Sequence, residues 1–233
     1  SFLFQPDHSG AADQVLEEVG LSADNRPVVG LIICGWDFVK GPFDRWPRED
    51  VEYEVFVRLV EYLTSHCNAK VCLLSHSNGF KVPPAKFELI HGRDYPIMKQ
   101  LEKILSERGI ESFMLNGIYS PELTKAIIGR FDMLISGRLH GAVAGLSQGV
   151  PTVTIDYGHE PKAHKLKGFN IVIGQERFVA DPSSFEDIRD KVAECWENKE
   201  EVHADLVRRL PEVQRLAQEN FAVIERFVNS GHI

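Results

Sequence analysis

One short stretch concentrates side chains able to hold an anion and move a proton: Ser136-Gly137-Arg138-Leu139-His140-Gly141. It follows Met133 to Ile135, an apolar run that reads as a buried strand, and leads into Leu139 to Gln148, which reads as a helix rich in small residues. Gly137 permits a tight turn and close approach of a ligand to the backbone. A helix that begins there offers free N–H groups and a partial positive charge, which together make an anion site. Such a site is worth about 0.3–1 kcal/mol when exposed and up to about 2 kcal/mol when partly buried. Arg138 adds a planar fork suited to carboxylate or phosphate, and His140 exchanges a proton near neutral pH. Two cationic or titratable side chains oppose the dipole at that helix end, and an anionic ligand between them offsets the conflict. The same Arg-x-His spacing also fits a salt-bridged arginine beside a core histidine.

Strand and helix alternate along the chain on both sides of this stretch. Val28 to Cys34, 71–75, 112–115, 132–136, 152–155 and 170–173 are predicted strands, most of them continuous apolar runs of the kind buried on both faces. Between them, Val51, Val55, Leu59 and Leu63 recur at helical spacing, and Ile97, Leu101, Ile104 and Leu105 form another such face behind a capping Asp94. Ser120-Pro121-Glu122 is a helix start, with a capping serine, proline at the first position and then an acid. The rhythm predicts an α/β fold, a doubly wound parallel sheet of about six strands, Rossmann-like, followed by C-terminal helices at 184–198 and 211–229 with Pro211 opening the last. The connections 35–50 and 75–93 are long and follow the carboxyl ends of strands, the edge where open α/β sheets bind ligands. His76 lies at that edge, and Trp36 and Trp46 in the first connection are placed to stack on a sugar ring or to cover the core.

Composition narrows the possible functions. The chain has 233 residues, 43% of them apolar, enough for a full core. Its net charge of −8 argues against a nucleic-acid partner or an anionic-membrane surface. Yet from 130 to 170 five basic residues (Arg130, Arg138, Lys162, Lys165, Lys167) face three acidic ones (Asp132, Asp156, Glu160), a local excess that favours an anionic ligand. No apolar run approaches the roughly 18 residues of a membrane span. Cys34, Cys67, Cys72 and Cys195 are scattered, without metal-ligand or disulfide spacing. They read as buried thiols in a reducing, cytoplasmic setting, and no metal site is expected. The start, Ser1-Phe2-Leu3-Phe4, lacks an initiator methionine and a basic flank, so it reads as the edge of a longer chain rather than as a signal peptide.

The stretch SPELTKAIIGRFDMLISGRLHGAVAGLSQGVPTVTIDYGHEPKAHKLKGF resembles the carboxy-terminal signature of the polysaccharide pyruvyl transferase family. The capped helix at Ser120-Pro121-Glu122, Asp132 before a strand, Arg138-Leu139-His140, the small residues Ala142 to Ala144, Gly149-x-Pro151, Tyr157, and Lys162 to Gly168 carry the resemblance over about fifty residues. It implies the carboxy-terminal, donor-binding domain of a GT-B fold in residues 27–233, with 1–26 as the connecting segment from a missing amino-terminal domain. It implies transfer of pyruvate from phosphoenolpyruvate, as co-substrate without a further cofactor, onto a diol of a saccharide acceptor to give a cyclic ketal. By the same resemblance His140 and Arg138 are catalytic, and Ser136, Gly137, Leu139, Lys162 and Tyr157 contact substrate; His76, Gly35 and Trp36 are expected to join them from their place at the ligand edge. Many relatives carry an arginine after the first strand, where this chain has Cys34-Gly35-Trp36, so either Lys40, Arg45 or Arg48 replaces it or the activity differs. The other readings are a GT-B glycosyltransferase using a nucleotide-sugar and a non-catalytic domain that binds a phospho-sugar or a protein partner. Against the former, no acid for ribose hydroxyls lies within the Arg-Leu-His stretch. The sequence does not indicate an oligomeric state.

Overall fold

The computed structural model of the chain describes residues 2–34, 36–37, 41–42, 49–156 and 165–229, with backbone alone for 36–37, 41–42, 224–225 and 229. Ten strands occur among them: β1 (Val28–Ile32), β2 (Trp36–Asp37), β3 (Gly41–Pro42), β4 (Lys70–Leu74), β5 (Asn78–Lys81), β6 (Glu88–His91), β7 (Phe113–Leu115), β8 (Met133–Ser136), β9 (Thr152–Ile155) and β10 (Val179–Ala180). The helices are α1 (Ala11–Glu18), α2 (Glu54–Ser65), α3 (Asp94–Glu107), α4 (Pro121–Ile128), α5 (Leu139–Leu146), α6 (Lys165–Ile173), α7 (Phe185–Glu197) and α8 (Lys199–Asn229). Six strands form one parallel sheet in the order β10-β9-β8-β1-β4-β7, while β2–β3 and β5–β6 are separate antiparallel hairpins. The predicted Rossmann-like α/β class is therefore the observed one.

The sheet is covered on both faces, as a parallel sheet requires. Val29, Leu31, Val71, Leu73, Met133 and Ile135 join the main core beneath α2, α3 and α7. Ile32, Cys72, Leu74, Leu115 and Leu134 face a second core built with α1 and α4. Residues 1–26, expected to be a connection, thus contain a helix whose Ala12 and Leu16 are buried against the domain. Register between β1 and β8 is fixed at their amino ends by Asp132, whose carboxylate accepts the Val28 N–H at 2.7 Å. Ser120 caps α4 as predicted, its hydroxyl accepting the Leu123 N–H at 3.2 Å. Gly109, in the left-handed region at φ 68°, follows the end of α3.

Three expectations are corrected. Residues 170–173 are not a strand but the end of α6. The β-branched run 171–173 suggested extension, yet the buried positions are Leu166, Asn170 and Ile173, at helical spacing, while Ile171 and Val172 are 55% and 53% exposed. The sixth strand is instead Val179–Ala180, which pairs with β9. Pro211 does not open the last helix, because α8 runs continuously through it. Val202, Leu206 and Val213 are buried along one stripe that spans the proline, and this burial offsets the roughly 3 kcal/mol that an interior proline costs. Finally, Val51 lies in a 3-10 turn ahead of α2 and is exposed, so the core face of that segment begins at Tyr53.

None of the four cysteines is in a disulfide. Among the described residues no helix is long and apolar enough to cross a membrane.

Candidate active site at the carboxyl edge of the sheet

The turn between β8 and α5 is made by Ser136. Its hydroxyl accepts the Arg138 N–H at 3.2 Å and donates to the Arg138 carbonyl at 2.9 Å, while the Gly137 N–H is held by the Ile32 carbonyl at 2.7 Å. Ser136 is fully buried beneath this turn, and Leu139 packs against the main core. Arg138 stays extended at the N-cap and His140 is exposed in the first turn of α5, which carries no acid. Gly141 lets α5 lie down on the strand ends. A Cβ there would come within 2.7 Å of Ser136 Oγ and 2.9 Å of Ile32 Cδ1, and 3.5 Å from the His76 ring.

Arg138 is held by Asp94, a fully buried carboxylate at the first position of α3. Nε donates to Oδ2 at 2.8 Å and Nη2 to Oδ1. The Asp94 N–H is in turn taken by Ser77 Oγ at 3.2 Å. The bidentate pair joins the start of α3 to the start of α5, so the salt-bridged arginine foreseen as the plainer alternative is what the geometry contains.

Between the end of β4, the β5–β6 hairpin, α4 and α5 lies a cleft of about 480 Å³, lined by Ser75, His76, His91, Tyr119, Lys125 and His140 among others. His76 is pushed down to about 4, chiefly by burial and further by the nearby His140 and Arg138, against the opposing pull of Asp94. His76 is therefore a neutral imidazole at cellular pH. Ser75 Oγ is buried with no hydrogen-bond partner among the described residues. Lys125 is 5% exposed, and its ammonium donates to the Phe4 carbonyl at 2.5 Å and the Phe2 carbonyl at 3.3 Å. Burial lowers its pKa. His91 stacks on Tyr95 with ring centroids 3.6 Å apart.

Of the predicted site residues, His140 and His76 line the same cleft. Arg138 and Ser136 build the turn that carries His140, and Gly137 and Leu139 complete it. Gly35, Tyr157 and Lys162, together with Lys40, Arg45, Trp46 and Arg48, lie outside the described residues, and Trp36 is described only in its backbone. Sequence reading passed over Asp94 as a partner for Arg138, and it missed Ser75, Tyr119 and Lys125. Lys125 had a signal available: a lysine one turn into a capped helix, followed directly by Ala126-Ile127-Ile128, sits where the helix must bury itself.

A family model for polysaccharide pyruvyl transferase matches residues 56–159. Comparison with curated protein sequences finds no match. Among solved structures, the catalytic domain of cholesterol-alpha-glucosyltransferase from Helicobacter pylori aligns with a TM-score of 0.50 at 13% identity, covering 82% of this chain and 99% of that one. The C-terminal domain of a glycosyl transferase group 1 family protein (LpcC) from Francisella tularensis gives 0.53 at 12% identity, covering 91% and 95%. An alpha,alpha-trehalose-phosphate synthase from Burkholderia vietnamiensis gives 0.52 at 12% identity, covering 97% of this chain but only 51% of that one. These neighbours are GT-B glycosyltransferases, and at such identities they show the fold alone. The matched segment runs from α2 to just past β9 and contains the cleft residues named above. Residues 56–159 thus carry the polysaccharide pyruvyl transferase family's sequence pattern on a Rossmann-like α/β fold.

Proposed function

We propose that this chain is the donor-binding part of an enzyme that transfers pyruvate from phosphoenolpyruvate to a diol of a saccharide. The observation that carries this reading is the coincidence of the family match with the cleft: the pattern over residues 56–159 includes both His140 and His76. In the reaction a proton adds to the methylene carbon of phosphoenolpyruvate and makes C2 electrophilic. Two C2–O bonds form to the saccharide hydroxyls, and the C2–O bond to phosphate breaks. Of the two protons released by the hydroxyls, one balances the proton gained by carbon and the other leaves with phosphate.

His140 is the proton carrier in this reading. It is exposed at the head of α5 and faces the cleft, where it can reach a ligand. The donor anion lies over the α5 N-terminus, whose first N–H groups have no partner within the helix. Arg138 keeps that terminus in place through Asp94, and its positive charge contributes to the local field. The test is phosphate release from phosphoenolpyruvate by the intact protein, with methyl hexopyranosides as acceptors and ketal formation followed by mass spectrometry. Saccharide-dependent phosphate release with a ketal product supports the reading. Turnover with a uridine-diphosphate sugar instead of phosphoenolpyruvate would overturn it.

A further inference from the structure

We propose that Ser75 and His76, at the carboxyl end of β4, form the acceptor subsite, gripping the two reacting hydroxyls of a saccharide diol beside His140. This inference rests on the pyruvyl-transfer reading of the same cleft.

The cleft floor holds polar groups that the fold leaves wanting. Ser75 Oγ is buried and makes no hydrogen bond with the described residues, although a buried hydroxyl without a partner costs about 1–3 kcal/mol. Ser75 lines the cleft, so a ligand there is the natural partner for that hydroxyl once its side chain turns toward it. The adjacent His76 ring lines the same cleft, packed over Gly141, where a Cβ would stand 3.5 Å from the ring. Burial keeps its imidazole neutral, so it offers one donor and one acceptor. Ser75 adds a hydroxyl that both donates and accepts. Consecutive residues at a strand end that present neutral donors and acceptors match neighbouring hydroxyls on a sugar ring, each of which also donates and accepts.

Lys125, which lines the same cleft, is engaged by the Phe2 and Phe4 carbonyls, and Glu122 stands on the same wall. Such a wall suits an uncharged polyol better than a phosphate ester. His140 lines the same cleft at the acid-free start of α5, where the donor is placed. When a saccharide hydroxyl adds to the electrophilic C2, its acidity rises sharply, so even a weakly basic imidazole can take the proton. His76 receives it at the ring nitrogen as the C–O bond forms and returns it to departing phosphate or to water.

Two measurements on the intact protein test this separately from the enzyme reading. In the first, a methyl hexopyranoside with free 4- and 6-hydroxyls is titrated without phosphoenolpyruvate, with thermal protection as the readout. Ser75→Ala should weaken binding about 2- to 12-fold, the worth of one neutral hydrogen bond, with phosphoenolpyruvate binding unchanged. In the second, kcat and acceptor KM are compared. Ser75→Ala should raise KM for the saccharide, whereas His76→Gln, which keeps hydrogen bonding but cannot carry the proton, should lower kcat about 10²-fold or more. If the wild type binds the saccharide in a Ser75-dependent way yet forms no ketal, the subsite stands and the pyruvyl reading falls. No protection of the wild type by any hexopyranoside, or protection and KM unchanged in both variants, would overturn the subsite.

Discussion

Arg138 and Asp94 lie 44 residues apart and form a two-pronged pair with the carboxylate fully buried. Removing one partner of such a pair strands the other, which costs up to about 3–5 kcal/mol when both are buried and less here, because Arg138 is 27% exposed. Arg138→Lys keeps the charge and loses the fork, so we expect a lower melting temperature together with weaker phosphoenolpyruvate binding. A calorimetric titration alongside thermal unfolding checks both, and an unchanged melting temperature would show that the pair contributes nothing to the fold. His76 makes a second prediction, in pH. Its folded pKa of about 4 lies below the ordinary 6.5, so the unfolded chain binds its proton first as pH falls. Stability should therefore be retained above about 6.5 and decline between about 6.5 and 4, by on the order of 3 kcal/mol in full. His76→Gln should flatten that part of a denaturation-versus-pH curve, and an identical slope in the variant would assign it to other groups. Sequence alone could show that Arg138 and His140 share a helix start, because that is local. It could not show which carboxylate reaches Arg138, because Asp94 looked like a helix cap and the pairing crosses two strands.

At the scale of elements, the edge depends on how closely α5 approaches the strand ends. Gly141→Ala places a methyl 2.7 Å from Ser136 Oγ and 2.9 Å from Ile32 Cδ1. Overpacking of this kind costs about 1–3 kcal/mol, so thermal unfolding should occur earlier and turnover should drop as His140 is displaced. A variant with wild-type stability and turnover would mean that the close approach is not needed. In α8, Pro211→Ala should raise stability by up to about 3 kcal/mol, since it restores an interior helical N–H. No gain would indicate that the proline begins a separate helix, as its position in the sequence had suggested. Five of the six sheet strands were legible because parallel strands buried on both faces are written as unbroken apolar runs. The sixth was not, because 171–173 has strand-forming residues while its burial follows a helical period, and Val179–Ala180 is only two residues long. The cleft wall on α4 was equally hidden: Lys125 sits inside an apolar helix, and only the fold of residues 2–4 against it shows where its ammonium goes.

For the molecule as a whole, the distal part of α8 extends away from the core, with Phe221 61% and Val223 56% exposed. Phe221→Ser should change the stability of residues 1–233 by no more than about 0.5 kcal/mol. The proposal that this chain is one part of a larger enzyme predicts more than that in the intact protein, where a hydrophobic helix face of this size is expected to be covered. Unfolding of the two lengths of protein with and without the substitution makes the comparison, and equal small effects in both would leave the face uncovered. Proton transfer by His140 is tested by ketal formation from phosphoenolpyruvate and a diol saccharide by the intact protein, wild type against His140→Asn. The wild type should form the ketal with stoichiometric phosphate release. His140→Asn should bind phosphoenolpyruvate nearly as well while turnover falls about 10²- to 10⁴-fold. Near wild-type turnover in His140→Asn would remove His140 as the proton carrier.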